Sequence, residues 1–247
     1  MQRISYLNDK KAKMHNIDNY RHRAFTLAEV LITLGIIGIV AALTLPALIQ
    51  NHQEKANIIK LKKFYSVMNQ AVLKVVEQNG PLSDWDNIKL QNLWTIFSSE
   101  LNVVKKCYED NTCNVATVHS SNGSPIASGT TLYTPAIILG DGTIISSIVY
   151  NNCTNGCALL RVDINGNKLP NTLGKDVFDF ILQSENMVPQ GRSDQESGYT
   201  FEAYCKNYKR PDPFNGSGCA AWVIYNENMD YLHCSDLSWN GKTKCDE

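Results

Sequence analysis

The feature that most constrains this chain is an apolar run that directly follows basic residues near its start. Arg21 and Arg23 precede the run, which continues from Ala24 to Ile49 without a polar spacer. About 25 residues at a rise of 1.5 Å each are enough to cross the hydrocarbon core of a bilayer. One carboxylate, Glu29, lies near the start of the run. An ionisable group in a membrane segment costs about 2.5–3.5 kcal/mol on insertion scales, so Glu29 indicates a function and requires a partner.

The segment before the run predicts the orientation of the chain. Residues 1–24 contain six Lys or Arg residues and two Asp residues. Positive charge next to a membrane helix keeps that end in the cytoplasm, so the C-terminal part is expected to be exported. Met14 is an alternative start that retains Arg21 and Arg23.

Cysteine usage agrees with export. The chain has an even number of cysteines, and all of them follow the apolar run: Cys107, Cys113, Cys153, Cys157, Cys205, Cys219, Cys234 and Cys245. This pattern predicts disulfides in an oxidising compartment, and we expect nearest neighbours to pair, although sequence order leaves other pairings open. A zinc site is disfavoured because no two cysteines have the Cys-x2-Cys spacing and the histidines are scattered. The net charge of −1 gives no argument for a nucleic-acid partner.

Three interpretations of the apolar run compete. A secretory signal would be cut near residues 40–42, and a signal anchor would not be cut at all; neither needs Glu29. The third rests on residues 24–30, Ala-Phe-Thr-Leu-Ala-Glu-Val. This stretch resembles the N-terminus of type IV prepilins and type II secretion pseudopilins, with its basic pair, cut site, Phe-Thr-Leu, Glu and apolar helix in the family's order. The family usually has Gly where this chain has Ala24, so slower cleavage at worst is expected.

The resemblance implies a processing reaction and an assembly role. A prepilin peptidase would cut between Ala24 and Phe25 on the cytoplasmic side and methylate the new amine of Phe25. In the family, the glutamate at the position of Glu29 is thought to pair with the N-terminus of a neighbouring subunit, which helps to set the register of a helical filament. Similar subunits carry a proline near the depth of Pro46, where a kink is expected. The implied partners are the prepilin peptidase, other pilin or pseudopilin subunits and the inner-membrane assembly platform.

The helical pattern continues beyond the apolar run. Its apolar positions recur at helical spacing up to the stop signal at residues 79–81: Leu61, Phe64, Tyr65, Met68, Ala71, Val72, Val75 and Val76. The sequence therefore predicts one helix from about Phe25 to Asn79. A cap at residues 83–86 predicts a second helix that ends at about Val103.

The rest of the chain predicts an antiparallel sheet. A hairpin is expected at residues 136–150, with further strands at 158–164, 177–182 and 218–225. The predicted fold class is α+β and pilin-like, with a long transmembrane and then amphipathic helix packed on a small antiparallel sheet. We divide the chain into a leader (1–24), a long helix (25–79, of which 25–49 is transmembrane or filament core) and a disulfide-rich head (80–247).

The loop between the predicted strands at 158–164 and 177–182 is the one candidate metal site. Asp163, Asn165 and Asn167 alternate oxygen-bearing side chains around a glycine, as in calcium loops. The EF-hand spacing fails because Gly174 stands where a bidentate Glu belongs. A loop held by Asx-turns is the favoured interpretation, so no cofactor is expected, with Ca²⁺ as the one alternative. The loop also resembles a pattern common in pseudopilin-like proteins.

The sequence contains no catalytic triad, phosphate loop or metal-binding His pair, so we expect no enzyme activity. The resemblance implies a structural subunit of a type IV pilus or type II secretion pseudopilus-like filament. The head is larger than that of a minimal pseudopilin, which favours a minor or surface-displaying subunit. The expected location is the bacterial inner membrane, single-pass with a cytoplasmic N-terminus and a periplasmic or cell-surface head. The alternative is a membrane-anchored periplasmic binding module that does not polymerise, and an exported hydrolase ranks third.

Overall fold

The fold is described from a computed structural model. It describes residues 25–110, 113, 115–126, 134–154, 156–192, 199–206 and 212–246. The predicted leader, residues 1–24, lies outside them. The chain divides into two compact units, Met1–Ala47 and Leu48–Glu247.

The first helix, α1, spans Leu27–Asn79 and continues through Pro46. The kink expected at Pro46 stays a prediction. The helix ends where the sequence indicates, because Gly80 has a φ of 79° and its backbone N–H donates to Val76 O at 2.8 Å. A glycine in this left-handed conformation is a common helix stop.

The second predicted helix is wrong in its length. Two short helices stand in its place, α2 (Asn87–Gln91) and α3 (Leu93–Phe97). The predicted cap is present, since the Asp86 side chain accepts a hydrogen bond from the backbone of Lys89. Asn92 separates the two helices, and its side-chain amide donates to Ile88 O at 2.9 Å. Asn side chains compete with backbone hydrogen bonds in this way, which interrupts the helix before Val103.

Six strands form one sheet in which each strand pairs with the next along the chain, always antiparallel. They are β1 (Val103–Lys106), β2 (Thr134–Leu139), β3 (Ile144–Val149), β4 (Ala158–Asp163), β5 (Val177–Leu182) and β6 (Met187–Pro189). A short helix, α4 (Cys107–Asp110), follows β1. The two edge strands, β1 and β6, were not predicted because three or four residues carry too little period-two signal. The α+β fold class is confirmed.

One face of the sheet packs against the second half of α1. Leu61, Met68 and Val72 are fully buried, and the rings of Phe64 and Phe180 meet edge-to-face at 5.6 Å. These side chains form one hydrophobic cluster with Leu160 of the neighbouring strand. The apolar stripe of the helix is therefore core.

The other face of the sheet is also covered, so all six residues of β5 are buried. Arg161 on β4 and Asp179 on β5 face each other there and form a bidentate ion pair with both N–O distances at 2.8 Å. A C-terminal helix, Ala220–Asn226, packs against β5 and β6. Burial of both faces requires segments remote in sequence, which strand periodicity does not reveal.

The predicted strand at 218–225 is wrong. This stretch forms the helix α6 (Ala220–Asn226), preceded by the short helix α5 (Phe201–Tyr204). Trp222 stacks on Phe201 with ring centroids 4.0 Å apart. A short apolar run that is buried on all sides has no period that separates strand from helix, so tertiary packing decides its conformation.

Four disulfides join neighbouring cysteines along the chain. They are Cys107–Cys113, Cys153–Cys157, Cys205–Cys219 and Cys234–Cys245. These are the nearest-neighbour pairs expected from sequence order. Each closes a short loop, and such closure stabilises an irregular head by restricting its unfolded chain.

Candidate functional site

The start of α1 is organised by a reciprocal pair of hydrogen bonds between Thr26 and Glu29. The backbone N–H and the hydroxyl of Thr26 donate to Glu29 Oε2 at 2.8 and 2.9 Å, and the Glu29 backbone N–H donates to Thr26 Oγ1 at 3.2 Å. This is a capping box, in which two side chains satisfy N–H groups that have no partner within the helix. The Thr-x-x-Glu spacing of residues 26–29 is the local sequence signal of such a box.

The capping box leaves one carboxylate oxygen available. Oε2 of Glu29 accepts both bonds from Thr26, whereas Oε1 has no hydrogen-bond partner within the described residues. Phe25, which precedes the box, has 84% of its side chain exposed. Ala24, the residue predicted before the cut, lies outside the described residues.

The first half of α1 presents apolar side chains to its surroundings. It contains an 18-residue window of mean hydropathy 2.4, none of it buried, which meets the length and composition of a membrane span. Examples are Leu34, Ile36 and Leu43, which are 59%, 56% and 76% exposed. Apolar side chains on every side of a helix require a membrane or other helices as partners.

The loop between β4 and β5 closes around two buried carboxylates, Asp163 and Asp176. Asp176 accepts hydrogen bonds from the backbone N–H groups of Asn171 and Thr172 at 2.9 and 2.7 Å, and from the Asn165 amide at 3.0 Å. Asp163 accepts from the Asn165 backbone at 3.1 Å. Burial raises the pKa of Asp163 to about 7, although the Asn165 bond opposes the shift, and burial also raises the pKa of Asp176.

The three predicted metal ligands, Asp163, Asn165 and Asn167, each form hydrogen bonds within the head. The Asn165 amide nitrogen faces Asp176, and Asn167 Oδ1 accepts from the backbone of Ala116 at 2.8 Å. Within the described residues, no group of three or more His, Cys, Asp or Glu side chains is placed to hold a metal ion. The Asn165 side-chain oxygen is buried and has no hydrogen-bond partner among the described residues, so the Ca²⁺ alternative stays a prediction.

The comparisons with known proteins divide the chain close to the boundary of its two units. The prokaryotic N-terminal methylation motif matches residues 19–45, which include Ala24, Phe25 and Glu29. The family of unknown function DUF6613 matches residues 47–219, more than half of the chain. The chain belongs to the DUF6613 family. No curated protein and no solved structure matches it.

The methylation motif identifies the N-terminus as that of the type IV prepilin and pseudopilin class. At this general level it supports a pilin-like subunit, and a structural subunit more than an enzyme. The motif coincides with the exposed half of α1 and its capping box. The prepilin-type recognition is therefore confirmed.

The DUF6613 match covers the second half of α1, all six strands and the Asp163 loop. It ends before α6, at Cys219. The segment that follows, which the match does not include, also binds α1: His233 Nε2 lies 3.0 Å from a Glu54 carboxylate oxygen, and Glu227 forms an ion pair with Lys62. Sequence reasoning missed these contacts because they join residues more than 160 positions apart.

Proposed function

We propose that this DUF6613 protein is a subunit of a type IV pilus or type II secretion pseudopilus-like filament. The prepilin peptidase cuts between Ala24 and Phe25, methylates Phe25, and leaves the chain in the inner membrane with its head in the periplasm. An assembly platform then moves it into a filament through α1. The size of the head favours a minor or surface-displaying position.

The observation that carries this proposal is the match of the methylation motif to the first half of α1, whose 18-residue apolar window has none of its residues buried. A soluble protein would bury at least one face of such a helix. Here the partner has to be lipid before assembly and neighbouring helices after it. Gly35 and Gly38, with open space around them, suit close approach of such helices.

The geometry of Glu29 supports a role in pairing with a second subunit. Thr26 occupies Oε2, so the carboxylate is not left without partners in the isolated subunit. Oε1 remains available for the positive amine that cleavage creates at Phe25 of a neighbour. Two opposite charges attract strongly in a medium of low dielectric constant, so pairing favours the register that brings them together.

Mass spectrometry of the mature protein in its own cells tests the processing step. We expect an N-methylated Phe25 at the N-terminus and no peptides from residues 1–24. Ala24→Gly should be processed at least as fast, because the family usually has Gly there, whereas Ala24→Glu should retain the leader. An intact leader in the unaltered chain would contradict the proposal and favour a membrane-anchored binding module.

The proposed minor position of this chain is tested by measuring the subunit composition of purified filaments. Purified filaments from cells that express the chain should contain it together with other pilin or pseudopilin subunits, and in smaller amount than the main one. Quantitative mass spectrometry of sheared filaments measures this ratio. A filament that consists mainly of this chain would contradict the minor position and leave the filament role intact.

A further inference from the structure

The head contains a cavity of about 340 Å³ between the α2–α3 segment and the ends of β2 and β3. The residues that carry its chemistry are Gln91, Trp94, Tyr108, Thr134 and Ser147. Small-molecule sites commonly have volumes of about 300–1,000 Å³, so this cavity suits a small ligand.

The cavity lies at the end of the head where α1 terminates. Lys89 on α2 donates to Asn79 O at 2.9 Å, and Gln91 donates to Asn151, just beyond β3, at 3.3 Å. The opposite end of the head is marked by the ion pair of Lys63 and Asp141, near the start of β3.

Three neutral groups of the cavity have hydrogen-bonding capacity that no described residue uses; Ser147 is buried, whereas Gln91 and Thr134 are exposed. Ser147 is 6% exposed, and its oxygen accepts from the Trp94 indole at 2.7 Å, which leaves the hydroxyl proton without an acceptor in the described residues. Gln91 uses its amide nitrogen on Asn151, and its oxygen has no described partner. The Thr134 hydroxyl likewise has no hydrogen bond to a described residue.

The rest of the lining is aromatic and aliphatic. Trp94 forms part of the wall, and Tyr108 lies next to the Cys107–Cys113 disulfide, which restrains the segment that carries it. The Tyr108 hydroxyl is 3.4 Å from Ser98 Oγ. None of the described residues that line the cavity carries a charge.

We propose that this cavity binds a neutral carbohydrate, of the size of one pyranose ring or a disaccharide. Hydroxyl groups of a sugar both donate and accept, so they match the free proton of Ser147 and the free oxygen of Gln91. The C–H face of the ring would contact the aromatic wall. The proposal goes beyond the filament role and does not depend on it, because binding is a property of the single chain.

The chemistry of the lining disfavours other ligand classes. An anion or cation would lose its hydration without meeting an opposite charge, which is costly. A purely apolar ligand would leave the Ser147 hydroxyl buried without an acceptor, which also costs free energy. A neutral ligand with several donors and acceptors avoids both costs.

Saturation-transfer NMR on the full chain, in a detergent without a sugar headgroup, tests the proposal. The neutral probes are glucose, galactose, N-acetylglucosamine and N-acetylgalactosamine. Glucuronate serves as the charged comparison and N-acetyl-trialanine amide as the peptide comparison. Each is used at about 10 mM, a concentration at which millimolar affinities are detectable. We expect saturation of ring protons for at least one neutral sugar and none for glucuronate. Binding of the peptide alone, or of no neutral sugar, would overturn the proposal.

Two variants and one matched control locate the binding. Gln91→Ala should weaken the affinity by about tenfold, since one hydrogen bond to a ligand contributes on that order. Thr134→Trp should fill the opening and abolish the signal. Gln70→Ala removes an exposed glutamine of α1 outside the cavity and should leave binding unchanged. Equal sugar signals in the unaltered chain and in a folded Gln91→Ala or Thr134→Trp protein, with folding checked by circular dichroism, would overturn the proposal.

Discussion

The two halves of α1 differ in where their partners are. In the first half the apolar side chains are exposed, as at Ile36 with 56% of its surface accessible. In the second half the apolar stripe is closed, and Leu61 and Met68 have no accessible surface. One continuous helix thus has a segment completed by its own chain and a segment that only lipid or other subunits can complete.

The carboxylates of the two regions show the same difference. Asp176 in the head receives three hydrogen bonds from its own loop, which satisfy both of its oxygens. Glu29 in the membrane half receives bonds on one oxygen only, from Thr26. A buried charge without full pairing is costly, so the proposed pairing with a second subunit would complete Glu29, whereas Asp176 is already satisfied by its own loop.

The largest expected effect comes from a core substitution that separates the two halves. Phe180→Ala should lower the free energy of unfolding by about 3–5 kcal/mol, because it opens a cavity beneath the head segment of α1. The matched change Ile36→Ala should alter it by less than about 0.5 kcal/mol, since the Ile36 side chain is exposed. Urea unfolding of the full chain in detergent measures both. Equal effects would contradict the division of the helix.

The next effect is a pH dependence of the head. The pKa of Asp163 is raised from 3.8 to about 7 by burial, so the folded state binds a proton that the unfolded state has released. Stability should therefore fall as the pH rises from about 4 to about 7 and then level off, by at most about 4 kcal/mol at 1.36 kcal/mol per pKa unit. The Asp163→Asn variant should lack this component. A difference between the two proteins that stays constant from pH 4 to pH 8 would refute the assignment.

Removal of the Glu29 charge should affect assembly and leave the head unchanged. An amine left unpaired in the apolar core costs about 2.5–3.5 kcal/mol, so Glu29→Leu should reduce incorporation into filaments by about 100-fold while membrane insertion persists. Glu54→Gln, which removes a carboxylate from the head segment of the same helix, serves as the control. Sheared filament fractions and membrane fractions are compared by immunoblot. Incorporation of Glu29→Leu at the unaltered level would exclude the pairing role.

The smallest expected effect concerns the capping box. Thr26→Val removes the hydroxyl that bridges Glu29, and loss of a helix cap costs about 0.5–2 kcal/mol. We expect faster amide hydrogen exchange in the first turn of α1 in detergent. Thr33→Val is the matched control, because the Thr33 hydroxyl binds only the backbone carbonyl of Val30 within the helix. Similar exchange in both variants would show that the box does not hold the first turn.

Much of the architecture could be predicted from local pattern. The end of α1 at Asn79, the strand at 177–182 and the cap at Asp86 each depend on residues within a few positions of each other. The edge strands and the break at Asn92 were missed because their local signals are short. The apolar run of α6 predicts a strand as readily as a helix, because five consecutive buried residues show neither the strand period nor the helix period of hydrophobicity.

In the candidate site, too, some features follow from the local sequence and others from the tertiary structure. Glu29, its proposed partner residue Phe25 and the cut at Ala24 follow from one continuous motif. The capping box could also have been read from the Thr-x-x-Glu spacing. In contrast, the hydrogen bonds that close the Asp163 loop could not be predicted from the sequence. They depend on which backbone and side-chain N–H groups point toward the carboxylate of Asp176.

The sequence by itself determined the apolar helix, its methylation motif and the positions of the four central strands, since these features depend on hydrophobic period and neighbouring residues. Only the tertiary structure decided that β5 is buried on both faces, that Arg161 and Asp179 form a buried ion pair, and that α6 is a helix. Burial is set by segments that arrive from distant positions, and no local pattern encodes them. The same holds for the cavity at Ser147, whose walls come from five separate elements of the head.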